Sequence, residues 1–178
     1  MPDAFARSGF REITVGAPPA LLPRYLRAAL PSVRSRPDSM PALALRLDGV
    51  RPTAAHVARY AAVVRQPPGD RLPLLYPHLL GFGLQLKLIT DRAFPFPPLG
   101  LVHVSNEVTC TGPLPLGAEL SVTVHAGAVR PHPRGRLVDL ITAVHRDGEP
   151  VWTETSGYLH REKAPAGTGS AEAIPTLS

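Results

Sequence analysis

The sequence predicts an α+β fold in which helices precede a run of antiparallel strands. Three observations carry this expectation. Tyr76–Thr90 is apolar on almost every side up to Lys87, the composition of a helix buried on most faces. From Leu99 onward, runs of residues alternate apolar and polar with a period of two, the mark of half-buried strands. Asp147-Gly148 separates the last two of these runs and is a strong local hairpin signal. Helices grouped on one side of a strand meander make an α+β domain. With 178 residues, 44% apolar and 19% charged, the chain has the size and balance of one domain around one core.

Residues 1–40 are rich in Pro, Arg and Ala and read as an irregular N-terminal arm, with weak helical spacing over Leu21–Leu30 that sets Arg24 and Arg27 three apart. Leu43, Leu45 and Leu47 then alternate with Ala44, Arg46 and Asp48, which predicts a first strand closed by Gly49. Pro52-Thr53 opens a helix over Ala54–Val64, whose Val57, Tyr60, Ala61 and Val64 fall on one face; Pro67-Pro68-Gly69 stops it. The next helix is the candidate central one. Pro77 suits its first turn, while Gly81 and Gly83 each cost about 1 kcal/mol of helix propensity relative to Ala. Their small size instead lets a sheet or a second helix approach closely. Phe94-Pro95-Phe96-Pro97-Pro98 is a stiff connector to the strands.

In the first of these later strands, Val102, Val104, Val108 and Cys110 are expected on one face with Asn106 as its polar member. His103, Ser105, Glu107 and Thr109 are expected on the other. Leu120, Val122 and Val124 alternate with Ser121, Thr123 and His125; Val138, Leu140, Thr142 and Val144 alternate with Asp139, Ile141 and His145; Val151–His160 closes the series. The folded domain is expected over residues 41–162, followed by a flexible, Pro/Gly/Ser-rich tail over 163–178. There is no internal repeat.

A net charge of +5 and a pI near 10 attract anionic partners over long range, among them nucleic acid, an acidic carrier protein or coenzyme A. Aromatic residues make up only 6% of the chain, and neither a stacking platform nor a groove-reading helix is visible, so nucleic acid is not expected as a partner. Cys110 is the single cysteine, which excludes an internal disulfide and a cysteine metal cluster; it reads as a small core residue. Met1–Arg11 has no apolar segment of a signal peptide, and the longest uncharged stretch, Leu72–Leu86, is too short to span a bilayer. A soluble cytoplasmic protein without metal or cofactor is the expectation.

The order of elements, together with particular words, resembles the MaoC-like hot-dog family, and more closely the N-terminal half of two-hot-dog bacterial 3-hydroxyacyl-thioester dehydratases. The words are Val57-Ala58-Arg59-Tyr60-Ala61-Ala62-Val63, Leu72-Pro73-Leu74-Leu75-Tyr76-Pro77-His78, Phe94-Pro95-Phe96, Leu99-Gly100-Leu101-Val102-His103-Val104-Ser105-Asn106, Arg134-Gly135-Arg136-Leu137-Val138-Asp139-Leu140 and Val151-Trp152. The resemblance implies a single hot-dog fold, one long central helix wrapped by an antiparallel sheet. It also implies chemistry on a 2-enoyl or 3-hydroxyacyl thioester of coenzyme A or acyl carrier protein.

Catalytic members of this family carry a G-D-x-N-P-x-H loop whose Asp and His act as general acid and base on water at the double bond beside the thioester. Here the matching words are Gly69-Asp70-Arg71-Leu72-Pro73-Leu74-Leu75: Asp70 and Pro73 match, Leu72 replaces the Asn and Leu75 the His. The dyad is broken, a trait of the family's non-catalytic halves. The candidates that remain are His78 and Asp70 for acid/base work. Tyr76, Asn106, His103 and the turn arginines Arg130, Arg134 and Arg136 are candidates to contact the substrate, the arginines because guanidinium suits phosphate or an acidic carrier. Hot-dog sheets pair side by side, so a homodimer or a heterodimer with a second hot-dog chain is expected. Three readings stay open: a subunit whose partner supplies the Asp/His dyad; a self-sufficient homodimeric enzyme using His78 and Asp70 for dehydration or cyclisation; and a non-enzymatic binding or assembly module.

Overall fold

A computed structural model describes residues 9–23, 26, 39–67 and 69–162; Arg24, Arg27, Pro68 and the 163–178 tail lie outside them. The described elements, in chain order, are β1 (Arg11–Thr14), β2 (Leu43–Val50), α1 (Ala54–Val63), α2 (Tyr76–Ile89), β3 (Leu101–Cys110), β4 (Leu120–His132), β5 (Gly135–Arg146) and β6 (Glu149–Arg161). The strands form one sheet in the order β1-β2-β4-β5-β6-β3, antiparallel throughout except for the parallel β1–β2 pair. β4, β5 and β6 form the meander read from the alternation, whereas β3, expected to lead it, crosses over to pair with β6. β1 is an addition within the segment expected to be irregular, since four exposed residues on a sheet edge leave no apolar period to detect.

Helix α1 begins as its cap chemistry requires, with Thr53 Oγ1 accepting from His56 N–H at 3.3 Å. It buries Val57 and Ala61, while Val63 and Val64 at its C-terminal end are exposed. Helix α2 carries Pro77 in its first turn and is buried at Tyr76, Pro77, Gly81, Leu84, Gln85, Leu86 and Leu88. It packs on β2, β4 and β5. Leu84 and Leu88 meet the sheet over a core of Leu45, Val122, Val124, Leu140 and Val144, all at most 2% exposed. Each such side chain contributes about 1.5–3 kcal/mol by leaving water. The role expected of the helix glycines is observed. A Cβ on Gly81 would stand 2.6 Å from Thr142 Cγ2 on β5, and one on Gly83 would stand 3.3 Å from Pro19 Cδ, so the sheet and the N-terminal segment each approach α2 at a glycine.

At the β5–β6 turn, Asp147 and Gly148 both have positive φ (53° and 84°), as a tight two-residue hairpin demands. Strand β3 departs from the strict alternation. Its register against β6 slips between His103, opposite Tyr158, and Ser105, opposite Gly157, leaving Val104 as the extra residue of a bulge. The slip reverses the faces upstream of it, so His103 lies on the same side as Asn106, Val108 and Cys110 and not opposite them. Cys110 is exposed rather than in the core, because β3 is an edge strand with little packed over either face.

Candidate functional site

The inner face of β6 presents Trp152, Glu154, Ser156 and Tyr158 in succession toward α2, a buried row with one ionisable acid at its centre. The Glu154 side chain is fully buried, and three side chains converge on it. His78 Nδ1 lies 2.8 and 2.9 Å from the two carboxylate oxygens. Asn106 Nδ2 donates at 2.6 Å and Gln85 Nε2 at 3.3 Å. Gln85 also donates to Thr142 Oγ1 at 3.0 Å and Ser156 Oγ at 3.4 Å, and accepts from the Tyr158 hydroxyl at 3.1 Å. Ser156 Oγ in turn donates to Asn106 Oδ1 at 3.3 Å. A buried carboxylate is tolerable only when so surrounded. The network joins α2 to β5, β6 and β3.

His78, in the first turn of α2, retains 24% side-chain exposure. Its ring lies parallel to His103 at 6.5 Å between centroids and 5.9 Å from Phe82; His103 stacks in turn on Tyr158 at 4.9 Å. Four expected or unexpected groups thus meet here: His78, Asn106 and His103, which the sequence singled out, and Glu154, which it did not. Asn106 is exposed overall although its amide reaches the buried carboxylate.

The remaining candidates lie apart from this network. Asp70 is exposed; its carbonyl accepts from Leu116 N–H at 2.8 Å, and its carboxylate has no hydrogen bond or ion pair among the described residues. No described interaction joins it to His78, whose carboxylate partner is Glu154. Leu75, which the sequence resemblance sets against the family's His, is the half-exposed residue just before α2. Tyr76 is buried, its hydroxyl 2.6 Å from His56 Nδ1, and burial raises its pKa above the usual tyrosine value. Arg130 is paired with Asp139 at 2.7–3.1 Å, through which its pKa is raised further, and Arg136 is paired with Glu162 and lies 4.7 Å over the Phe96 ring. Of the three turn arginines, Arg134 alone has no carboxylate on its side chain among the described residues.

Sequence reasoning missed Glu154, Gln85, Ser156, Thr142 and His56. The signal for two of them was present: Glu154 shares its parity with Trp152 and Tyr158, and Gln85 interrupts an apolar helix. Among the described residues no group of three or more His, Cys, Asp or Glu side chains is arranged to hold a metal ion, and no helix is long and apolar enough to cross a membrane.

No family model matches the chain. It is 35% identical over 148 residues to 3-hydroxyacyl-thioester dehydratase X of Mycobacterium tuberculosis, an alignment that takes in 82% of this chain and 52% of that protein. The crystal structure of HtdX from the same organism superposes with a TM-score of 0.62 at 34% identity, over 70% of this chain and 53% of that one. The HadBC (3R)-hydroxyacyl-ACP dehydratase complex of M. tuberculosis superposes with a TM-score of 0.53 at 16% identity, over 61% of this chain and 88% of that one, a likeness of fold. The chain spans about half the length of the first curated relative it matches.

Proposed function

We propose that the chain, a member of the MaoC-like hot-dog family of acyl-thioester dehydratases and hydratases, is one acyl-thioester-binding half of a double hot-dog whose Asp/His dyad stands on a second hot-dog domain. The observation that carries this reading is the state of the dyad loop: Leu75 occupies the position of the family's His, and the Asp70 carboxylate faces solvent without a partner among the described residues. The open edge of β3, with Val102 and Val104 exposed, supports a second domain docking there. Residues 41–162 make up the hot-dog domain, and the preceding segment rests on α2 through Pro19 at Gly83.

In this reading the substrate is a 2-enoyl or 3-hydroxyacyl thioester carried by coenzyme A or acyl carrier protein. Dehydration takes a proton from C2 while the C3–O bond breaks and the hydroxyl leaves with a proton as water; hydration is the reverse, and the dyad moves both protons. This chain binds and orients the acyl group, with His78 and Asn106 as its solvent-accessible polar groups on α2 and β3. Arg134 is the guanidinium open to a phosphate or an acidic carrier, and Arg130 and Arg136 contribute to that surface only if Asp139 and Glu162 give way. The single cysteine suits a reducing compartment, and we place the reaction in the cytoplasm. The His78–Glu154 pair favours a second reading in which the chain acts alone, with Glu154 in the role that the sequence assigned to Asp70.

Hydration of crotonyl-CoA and longer 2-enoyl-CoA thioesters, followed at the enoyl absorbance, separates the two. Turnover only after addition of a dyad-bearing hot-dog domain is the expected result. Turnover by the chain alone that is lost in His78→Ala overturns it in favour of the self-sufficient enzyme. Binding without turnover under either condition leaves a binding module.

A further inference from the structure

A cavity of about 170 Å³ lies between α1 and the loop that follows it, and no residue of the Glu154 network lines it. Its α1 wall is Ala54, Val57, Ala58 and Ala61, which the helical period brings to one face. Three of these end at Cβ, which is why the gap beside Pro73 and Leu116 stays unfilled. Val57 and Ala61 are buried and form the floor, whereas Ala54 and Ala58 are exposed and leave the mouth open to solvent. The far wall is held from behind: Leu72 N–H donates to the Leu114 carbonyl and Leu116 N–H to the Asp70 carbonyl, both at 2.8 Å. The cavity is therefore preformed. An apolar cavity of about 150 Å³ is enough to take up benzene.

One lining residue is charged. Arg71 is exposed, and among the described residues its side chain makes no hydrogen bond or ion pair, not even with the adjacent Asp70. A guanidinium left without a carboxylate presents its fork of donors to an anion, and a carboxylate matches that fork with two parallel bonds. An apolar cavity of benzene size with one such cation on its wall is complementary to a ligand with a small hydrocarbon body and a single anionic end. We propose that this cavity is a binding site for a small apolar monocarboxylate, its hydrocarbon body against Ala58 and Ala61 and its carboxylate on Arg71. The site is separate from the thioester-binding reading and does not rest on it, since neither a thioester nor a second domain enters the argument.

The test is an NMR titration of the full chain with benzoate and with benzamide, planar molecules of the same size of which only the first is charged. Benzoate should bind about tenfold tighter, the difference between a charge-assisted and a neutral pairing with the guanidinium. Arg71→Gln should lower benzoate to the affinity of benzamide and leave benzamide unchanged. Ala58→Leu should abolish binding of both by filling the cavity; the position is exposed and leucine is a good helix former, so the variant keeps the fold. Arg71 also borders a wider cleft of about 400 Å³ beside Cys110, which Ala58 does not line. Benzoate binding that survives Ala58→Leu therefore overturns the assignment to this cavity. Equal affinity of the wild-type chain for benzoate and benzamide overturns the role of Arg71 and the choice of a carboxylate. Binding of neither overturns the inference outright, and the enoyl-CoA assay still decides the thioester-binding reading.

Discussion

Gly81 lets α2 and the sheet approach closely, and replacing it with alanine tests how tightly that seam is built. A Cβ there would lie 2.6 Å from Thr142 Cγ2 and 3.4 Å from Thr142 Oγ1. Carbon atoms pack at about 3.5–4.0 Å, so Gly81→Ala demands roughly 1 Å of movement. Thr142 is fully buried, and its hydroxyl accepts the Gln85 amide at 3.0 Å. Rotating Thr142 breaks that bond, whereas lifting α2 loosens Leu84 and Leu88. Over-packing of this kind costs about 1–3 kcal/mol, against about 1 kcal/mol gained in helix propensity. The expected net effect in urea denaturation is a loss of up to about 2 kcal/mol. Thr142→Ser removes the offending methyl and keeps the hydroxyl, so in that background Gly81→Ala should stabilise by about 1 kcal/mol. A double-mutant cycle should therefore give a coupling of about 1–3 kcal/mol. A Gly81→Ala protein more stable than its parent with Thr142 in place, and without coupling, refutes the close approach.

Burial lowers the pKa of His125, beside the Phe10 ring at 4.7 Å, from 6.5 to about 4. The fold therefore favours the neutral ring: its contribution is intact above about pH 6.5 and is lost as the pH falls toward 4, by about 1–2 kcal/mol for this partly exposed group. Denaturation at pH 7 and pH 5 reads this loss, and an NMR titration placing His125 at its ordinary value would contradict it. Glu154→Ala should cost about 1–3 kcal/mol in the same denaturation assay, by removing the acceptor of the Asn106 amide and one of the three acceptors of the buried Gln85 amide. It should also release His78 to a mixture of tautomers visible in its nitrogen shifts, and an unchanged tautomer would speak against the network. Val102→Glu combined with Val104→Glu places charge along the open edge of β3 and should weaken association with a second hot-dog domain at least tenfold, about 1.4 kcal/mol, as read by size-exclusion or sedimentation. Unchanged association would move the docking surface elsewhere.

Periodicity made the architecture legible: the apolar α2, the four long strands and the Asp147-Gly148 turn were all visible as patterns. What it could not deliver was any feature that breaks a period. The bulge at Val104 adds one residue without changing the composition of β3, yet it carries His103 to the side of Asn106 and into reach of His78. Glu154 looks, in one dimension, like any polar residue of an alternating strand. Its meaning depends on Gln85 and His78 arriving from a helix about seventy residues earlier in the chain. His78 was legible because it follows Pro77 at a helix start; its partner was not, and Asp70, close in sequence, took that place in the reading. The turn arginines show the same limit. Clustering was evident, but the carboxylates of Asp139 and Glu162 that neutralise two of them come from neighbouring positions across the sheet.

The two ends of the sheet differ in kind. Among the described residues, β3 closes one end with ten residues, Leu101–Cys110, and β1 closes the other with four, Arg11–Thr14, bounded by Gly9 and by Gly16-Ala17-Pro18-Pro19. Strand addition is a growth reaction, and its outcome depends on how many growing ends a subunit has. In the double hot-dog proposed above, one long end and one short, proline-flanked end favour a discrete pair over continued growth. Two long ends would allow head-to-tail propagation into a filament. Among the described residues, the small N-terminal strand, which contributes little to the core, thus leaves β3 as the longer edge for strand addition.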